Sequence, residues 1–338
     1  MPASRLAAER RFAIEAVVSA AKLTKAVRDG FDPQAEAVSK ADSSPVTVAD
    51  VGAQSLVRMA RVEALPGDGM MGEEAVGALA ESPELVGAVL SRGRAERPVV
   101  ALGGVRVALD GCDDPAGAGR RWWTLDPVDG TKGFLRNEQY AIALALVEDG
   151  EVVLGVMGCP NLPYDGEPGD PDVRGPIGVL FVAERGEGTR MMPLFEADGE
   201  RAGEPCRVAA PASTAEARYA ESVEAAHSNQ SEAARIGAAL GITAEPVRLD
   251  SQTKYAMVAR GDASIYLRVP RGDYRENIWD HAAGLVVVEE AGGRVSDVEG
   301  KPFDITTGQR MTQNRGAVVT AASIHDEVVA AVRSVLES

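Results

Sequence analysis

Cysteine is scarce in this chain: Cys112, Cys159 and Cys206 stand far apart, with no CxxC pair. That spacing offers neither a disulfide framework nor a zinc ribbon. Positive charge is also thin, with 35 Lys and Arg against 51 Asp and Glu, a formal charge of −16 and no basic cluster. No nucleic-acid-coating or anionic-membrane surface is therefore expected. A small phosphorylated partner stays compatible with so acidic a chain, because bound metal ions invert the local field. No apolar run approaches the roughly 20 residues that span a bilayer. Near the N-terminus, Arg5, Glu9, Arg10 and Arg11 break up the alanines, so no signal-peptide core is expected. Internal repeats, heptads and low-complexity tails are missing too. The expectation is a reduced, cytoplasmic protein with no membrane or nucleic-acid partner, acting as a monomer or homodimer.

What is present is ordinary globular material, 338 residues with 45% hydrophobic and 25% charged, enough for one large domain or two. Leu6, Ala13, Ile14, Val17, Ala20, Ala21, Thr24 and Val27 recur at helical spacing and predict a helix over 4–29. A Pro-broken polar segment leads to a second helix near 51–65, with Asp50 where an N-cap belongs and Pro66-Gly67 as the stop. Residues 75–100 read as irregular helix and 103–120 as a hairpin and loop. Strands are expected at 140–147 and 152–157 about the hairpin turn Glu148-Asp149-Gly150-Glu151, then at 177–183 and near 205–209. The Pro/Gly/Asp-rich residues 163–176 read as a mobile surface loop. Beyond about residue 206 short strands (218–223, 264–269, 317–320) alternate with helices (230–240, 251–260, 280–291, 323–336). That texture predicts an α+β domain over 1–205, with a mainly antiparallel sheet, and a smaller α/β domain over 206–338. His325, in the last helix, is expected at the surface.

Three acidic stretches carry the chemistry. The first is Trp122-Trp123-Thr124-Leu125-Asp126-Pro127-Val128-Asp129-Gly130-Thr131-Lys132-Gly133-Phe134. It opens as a buried strand, and Pro127, with no N–H and a fixed φ, should stop it and let Asp129 swing back toward Asp126. Two hard carboxylates, with the Val128 carbonyl between them, suit a hard divalent cation. Taken alone, the stretch reads more readily as a surface Asp-Pro/Asp-Gly turn, and only its partner stretches reverse that preference. The second is Gly72-Glu73-Glu74, and the third is Ile278-Trp279-Asp280-His281-Ala282-Ala283-Gly284, where Asp280 also suits a helix-capping role. Asp50 and Asp280 by themselves need be no more than caps.

Together, in order and in local sequence, these stretches resemble the lithium-sensitive, Mg²⁺-dependent phosphomonoesterases of the inositol monophosphatase and fructose-1,6-bisphosphatase superfamily. The shared pattern is a Gly-Glu-Glu turn, then Asp-Pro-(Ile/Leu/Val)-Asp-Gly-Thr, then Trp-Asp before a small-residue helix. Within it the chain is most similar to the 3′(2′),5′-bisphosphate nucleotidases, through Ser44-Pro45-Val46-Thr47-Val48-Ala49-Asp50, Thr131 to Arg136, Val223-Glu224 with His227-Ser228, Leu249 to Tyr255 and Tyr266-Leu267-Arg268. The resemblance covers about residues 38–74, 122–162 and 219–297 and is poor over 75–121 and 163–176.

The resemblance implies a layered αβαβα sugar-phosphatase-like sandwich, α/β and α+β in class. It implies two or three Mg²⁺ ions on Glu73, Asp126, Asp129, Asp280 and the Val128 carbonyl. Asp50 and Thr131 would orient the attacking water. Asp129, Gly130, Thr131, His227, Ser251, Lys254, Arg268 and Asp280 would contact a small nucleotide substrate, adenosine 3′(2′),5′-bisphosphate, releasing AMP and phosphate, with 3′-phosphoadenylyl sulfate a further substrate. His281 would be structural. An inositol phosphatase, or a catalytically silent nucleotide-binding regulator, is the alternative.

Overall fold

The computed structural model describes residues 4–29, 37–39, 45–74, 120–170, 172–199, 203–223, 230–269, 272 and 274–337. Cys112, His227 and the expected elements at 75–100 and 103–119 lie outside these residues.

Helix α1 (Ala7–Asp29) buries Phe12, Ile14, Val17, Leu23 and Val27 on one face, as the helical spacing requires. It packs against α2 (Val48–Ala64), and both cover one face of a seven-stranded sheet. In spatial order that sheet is β3 (Gly69–Gly72), β4 (Arg121–Asp129), β5 (Ala141–Glu148), β6 (Glu151–Pro163), β7 (Ile177–Glu184), β8 (Gly188–Pro193) and β9 (Glu204–Pro205). Only β3 and β4 pair in parallel; the other neighbours are antiparallel. A separate antiparallel pair, β1 (Ala37–Ser39) and β2 (Pro45–Thr47), precedes α2.

The strand period of two separates the sheet's faces. Trp123, Leu125, Ile142, Leu144 and Leu146 join the core beneath α1 and α2. Trp122, Ala141, Ala143, Ala145 and Val147 join a second core on the other side. That inner face is built of alanines where it meets α6 (Ala282–Glu290), so the helix backbone can come close. Gly155 makes the same point: a Cβ there would lie 2.4 Å from Val286 Cγ1 and 2.9 Å from the Ala283 carbonyl oxygen.

Helices α5 (Thr253–Arg260) and α6 share this second core with a five-stranded sheet in the order β11 (Val247–Arg248), β10 (Tyr219–Glu221), β12 (Ile265–Arg268), β14 (Ala317–Ala321), β13 (Gly293–Ser296). Strand β10 is parallel to both β11 and β12, while β14 runs antiparallel to its two neighbours. The outer face of that sheet is covered by α4 (Gln230–Ala239) and α7 (His325–Leu336). The short helix α3 (Thr131–Leu135) follows β4 directly. Five layers result, αβαβα, with α5 and α6 in the middle.

Several expectations need correction. Helix α2 begins at Val48, so Asp50 sits inside its first turn instead of capping it; buried Val48 and Val51 draw the chain into helix earlier. Strand β4 runs through Pro127 to Asp129, and the lost N–H is absorbed as a bulge, with Asp126 opposite Ala143 and Asp129 opposite Ala141. The strand expected near 205–209 shrinks to Glu204–Pro205, and β8 was not foreseen. His325 is buried, not exposed: at the start of α7 it faces the sheet, its Nδ1 2.9 Å from Thr320 Oγ1 and its Nε2 3.1 Å from Ser296 Oγ. The 163–176 loop is pinned, since Arg260 donates to the carbonyls of Pro163 (2.6 Å) and Tyr164 (3.2 Å), and Arg218 pairs with Glu167. No helix among the described residues is long and apolar enough to cross a membrane.

Candidate active site

A cavity of about 360 Å³ opens where the ends of the two sheets meet. Glu73, Asp126, Val128, Asp129, Gly130, Thr131, Ser251, Lys254, Arg268 and Asp280 all line it. All ten come from the three acidic stretches or the two cationic segments around Lys254 and Arg268.

Each carboxylate has its own support. Glu73 follows β3, and its N–H donates to the Leu125 carbonyl at 3.2 Å, tying the Gly-Glu-Glu turn to β4. Gln54 of α2 clamps that turn from behind: its Nε2 donates to the Glu74 carbonyl (2.5 Å) and its Oε1 accepts from the Glu74 N–H (3.0 Å). Asp129 accepts from the Gln252 N–H, so the motif loop is bound to the start of α5. Beside it, Gly130 has φ +87°, and a Cβ there would stand 2.7 Å from Ser251 Cβ, so only glycine fits. Ser251 is itself left-handed, at φ 70°. Asp280 closes a 3₁₀ turn (Ile278–Asp280) in a reciprocal capping box with Asn277, whose N–H donates to Asp280 Oδ2 at 2.9 Å. Asp280 therefore caps and lines the cavity at once.

Electrostatically these acids are crowded. Burial, then the charges of Glu73, Asp129 and Asp280, raise the Asp126 carboxyl well above the usual carboxylate range. Asp129 is raised to about 6 by burial and then by Asp280, while Lys254, Arg268 and the Gln252 N–H pull it back. Asp126 Oδ1 is buried with no hydrogen-bond partner among the described residues. Among those residues no three Asp, Glu, His or Cys side chains already stand as a closed coordination group. Yet the donors are all hard oxygens, one of them orphaned, and Lys254 and Arg268 offset their charge only in part. That is what a hard divalent cation would satisfy, so the residues present fit such an ion.

The cationic side faces them. Lys254, buried in the first turn of α5, is lowered to about 8 by burial, against the favourable charges of Asp129 and Asp250. Its Nζ lies 5.3 Å from the centre of the Tyr266 ring. Arg268, at the end of β12, stands 3.6 Å from both Glu276 and Asp280. Burial opposes its charge, but Asp280 and its other anionic neighbours outweigh burial and hold the guanidinium more firmly protonated than usual.

One expected residue is not among those on the cavity wall, and another falls outside the described part of the chain. Asp50 is fully buried in α2 and is not among the described residues that line the cavity; His227 lies outside the described residues. Thr131 does line it, and its hydroxyl donates to the Val128 carbonyl at 3.3 Å. His281 is packed behind the site: its Nδ1 is 2.6 Å from Tyr255 Oη, and its ring leans on Phe303. Sequence reasoning missed Gln54, Asp250, Gln252, Tyr274 and Arg310. Asp250 and Gln252 flank the noticed Ser251. Gln54 acts through a backbone clamp, and Tyr274 and Arg310 lie 36 residues apart, so no local pattern joins them.

Five αβαβα layers around an acidic, metal-fitting cavity define a layered α/β phosphatase fold. The comparisons agree: residues 9–337 match the inositol monophosphatase family. The chain belongs to that family, and membership supports a metal cofactor. It is 41% identical to a 3′(2′),5′-bisphosphate nucleotidase of Emericella nidulans, over 97% of this chain and 98% of that protein. It is 40% identical to one of Schizosaccharomyces pombe, covering 97% and 96% respectively. Among solved structures it resembles an inositol monophosphatase of Thermotoga maritima, with a TM-score of 0.63, 23% identity and coverage of 96% and 97%.

Proposed function

We propose that this chain is a Mg²⁺-dependent 3′(2′),5′-bisphosphate nucleotidase. It removes the 3′(2′)-phosphate of adenosine 3′(2′),5′-bisphosphate, giving AMP and phosphate, and accepts 3′-phosphoadenylyl sulfate as well. One observation carries the reading: a single cavity sets the carboxylates Glu73, Asp126, Asp129 and Asp280 opposite two cations, the buried Lys254 and the half-buried Arg268. Such a cavity suits a substrate with two anionic groups, one for the metal side and one for the cations. The relatives' names give the substrate class.

Glu73, Asp126, Asp129, Asp280 and the Val128 carbonyl would hold the two or three ions. When bound, Mg²⁺ neutralises the phosphate and lowers the pKa of a water. The Thr131 hydroxyl donates to the Val128 carbonyl, which leaves its lone pairs to accept a hydrogen bond from, and so orient, the attacking water. Asp50 is the partner in that orientation. It follows β2 by three residues, and β2 packs on the short helix that Thr131 opens. Arg268 and Lys254 bind the phosphate that is kept, as a planar fork and a point charge. Ser251, His227 and Gly130 contact the nucleoside. The cavity then lies where the proposed 1–205 and 206–338 domains meet.

The test is phosphate release with Mg²⁺ from adenosine 3′,5′-bisphosphate, inositol 1-phosphate and inositol 1,4-bisphosphate, with and without lithium. Preference for the nucleotide, lost with lithium, supports the reading. Preference for an inositol phosphate refutes the substrate, and release from none of them makes the chain a nucleotide-binding regulator. Asp126→Asn should abolish turnover with the far-UV circular dichroism unchanged.

A further inference from the structure

Tyr274 is one of few large side chains with apolar surface that the described residues leave open, half exposed on the rim of the cavity. An exposed aromatic ring is unremarkable by itself. This one is held. The Arg310 guanidinium sits over the ring, 6.0 Å from its centre, and donates to the Arg275 carbonyl at 2.9 Å. Arg310 lines the same cavity. The segment bearing Arg310 is laced to the one following Tyr274: Ile278 N–H donates to Gln309 O (3.0 Å), and Met311 N–H to Glu276 O (3.0 Å). The laced segment ends in the Asn277–Asp280 capping box, so ring and carboxylate share one rigid support. Tyr274 is close enough to Asp280 and Arg268 for both charges to act on its hydroxyl, Asp280 raising its pKa and Arg268 lowering it, beneath the larger effect of burial.

We infer that Tyr274, backed by Arg310, is the platform on which the nucleobase stacks. The inference rests on the nucleotidase reading above and adds what separates a nucleotide from an inositol phosphate at this site. A phenol ring offers a π-face to any base with few rotors to freeze, and the cation over it fixes the ring's tilt. The metal side and the two cations recognise anionic groups, which inositol phosphates also carry. A flat aromatic base is the part that inositol lacks, and a held, open ring is the group here that would recognise it. Because stacking tolerates sequence, guanine should replace adenine with little loss.

The experiment compares wild type, Tyr274→Ala and Tyr274→Phe on adenosine 3′,5′-bisphosphate and on the 3′,5′-bisphosphate of 1-deoxyribose, which lacks the base. Expected is a KM for the nucleotide raised roughly ten-fold or more in Tyr274→Ala, with the base-free substrate unchanged and Tyr274→Phe close to wild type. An equal change on both substrates, or none, overturns the platform while leaving the nucleotidase reading intact. Failure of the wild type to hydrolyse any nucleotide bisphosphate overturns both. Tyr274 is half exposed, so its truncation leaves the folded core untouched.

Discussion

Replacing a proposed metal ligand should make the metal-free protein more stable above neutral pH. Asp129 holds its proton up to about pH 6 in the folded chain, against an ordinary 3.8. A carboxyl raised in this way stabilises the fold fully below about pH 4 and loses that contribution as the pH rises through about 6. The difference amounts to about 3 kcal/mol at 1.36 kcal/mol per pKa unit. Asp129 keeps some contact with solvent in the cavity, and screening brings the figure to about 2 kcal/mol. Asparagine keeps an oxygen for the Gln252 N–H but never ionises. For 338 residues the unfolding entropy is about 0.7 kcal/mol/K, so the gain is about 3 °C in Tm. The assay is thermal melting in EDTA at pH 4.5 and pH 8. Asp129→Asn should melt about 3 °C above wild type at pH 8 and level with it, or below, at pH 4.5. Added Mg²⁺ should raise wild type more than the variant. A variant that melts at or below wild type at pH 8 refutes the claim that these acids are electrostatically strained without a cation.

Other perturbations test the remaining parts. Lys254, lowered to about 8, loses its charge above that pH, so KM for the nucleotide should climb roughly ten-fold per pH unit there, and Lys254→Arg should flatten the climb; a KM profile from pH 6 to 10 decides. Arg268→Gln strips the cation from buried Glu276 and from Asp280, and should raise KM at least about ten-fold while costing about 1–3 kcal/mol in urea denaturation. Gly130→Ala forces a left-handed residue against Ser251, costing about 1–2 kcal/mol for the backbone alone. Its Tm should fall, with kcat/KM reduced more than Tm alone explains.

Much of the fold was legible because periodicity was strong. The 4–29 helix shows its buried face in sequence, and the hairpin about Asp149-Gly150 needs only local turn chemistry. Short edge strands such as Glu204–Pro205 and Val247–Arg248 carry two residues each, too few for a pattern, and depend on a neighbour that sequence does not reveal. Pro127 defeats the sequence rule for a related reason: a proline usually ends a strand, but β3 pairs with β4 only as far as Leu125, and the pairing with β5 on the other side takes up Pro127 as a bulge. His325 was misplaced because helix position alone does not say which way the first turn faces. In the site, the carboxylates were visible as motifs. Gln54 and the Tyr274–Arg310 pair were not, because what matters in them is a contact across the fold.

Helix α6 has the last word on how the site is located. Ahead of it stands Asp280, and along it the chain is almost wholly apolar, Ala282 to Val288 being buried. It touches β6 at Gly155 and receives the Tyr255 ring on Gly284, where a Cβ would fall 2.4 Å from Tyr255 Cγ. These contacts behave like a machined dowel: they set one carboxylate against the others by fit, with no charge involved. Drift by random substitution is therefore closed at Gly155 and Gly284 even though neither touches the cavity. A single added methyl at either would push Asp280 out of alignment, and activity would be lost from a place that no inspection of the active site would suspect.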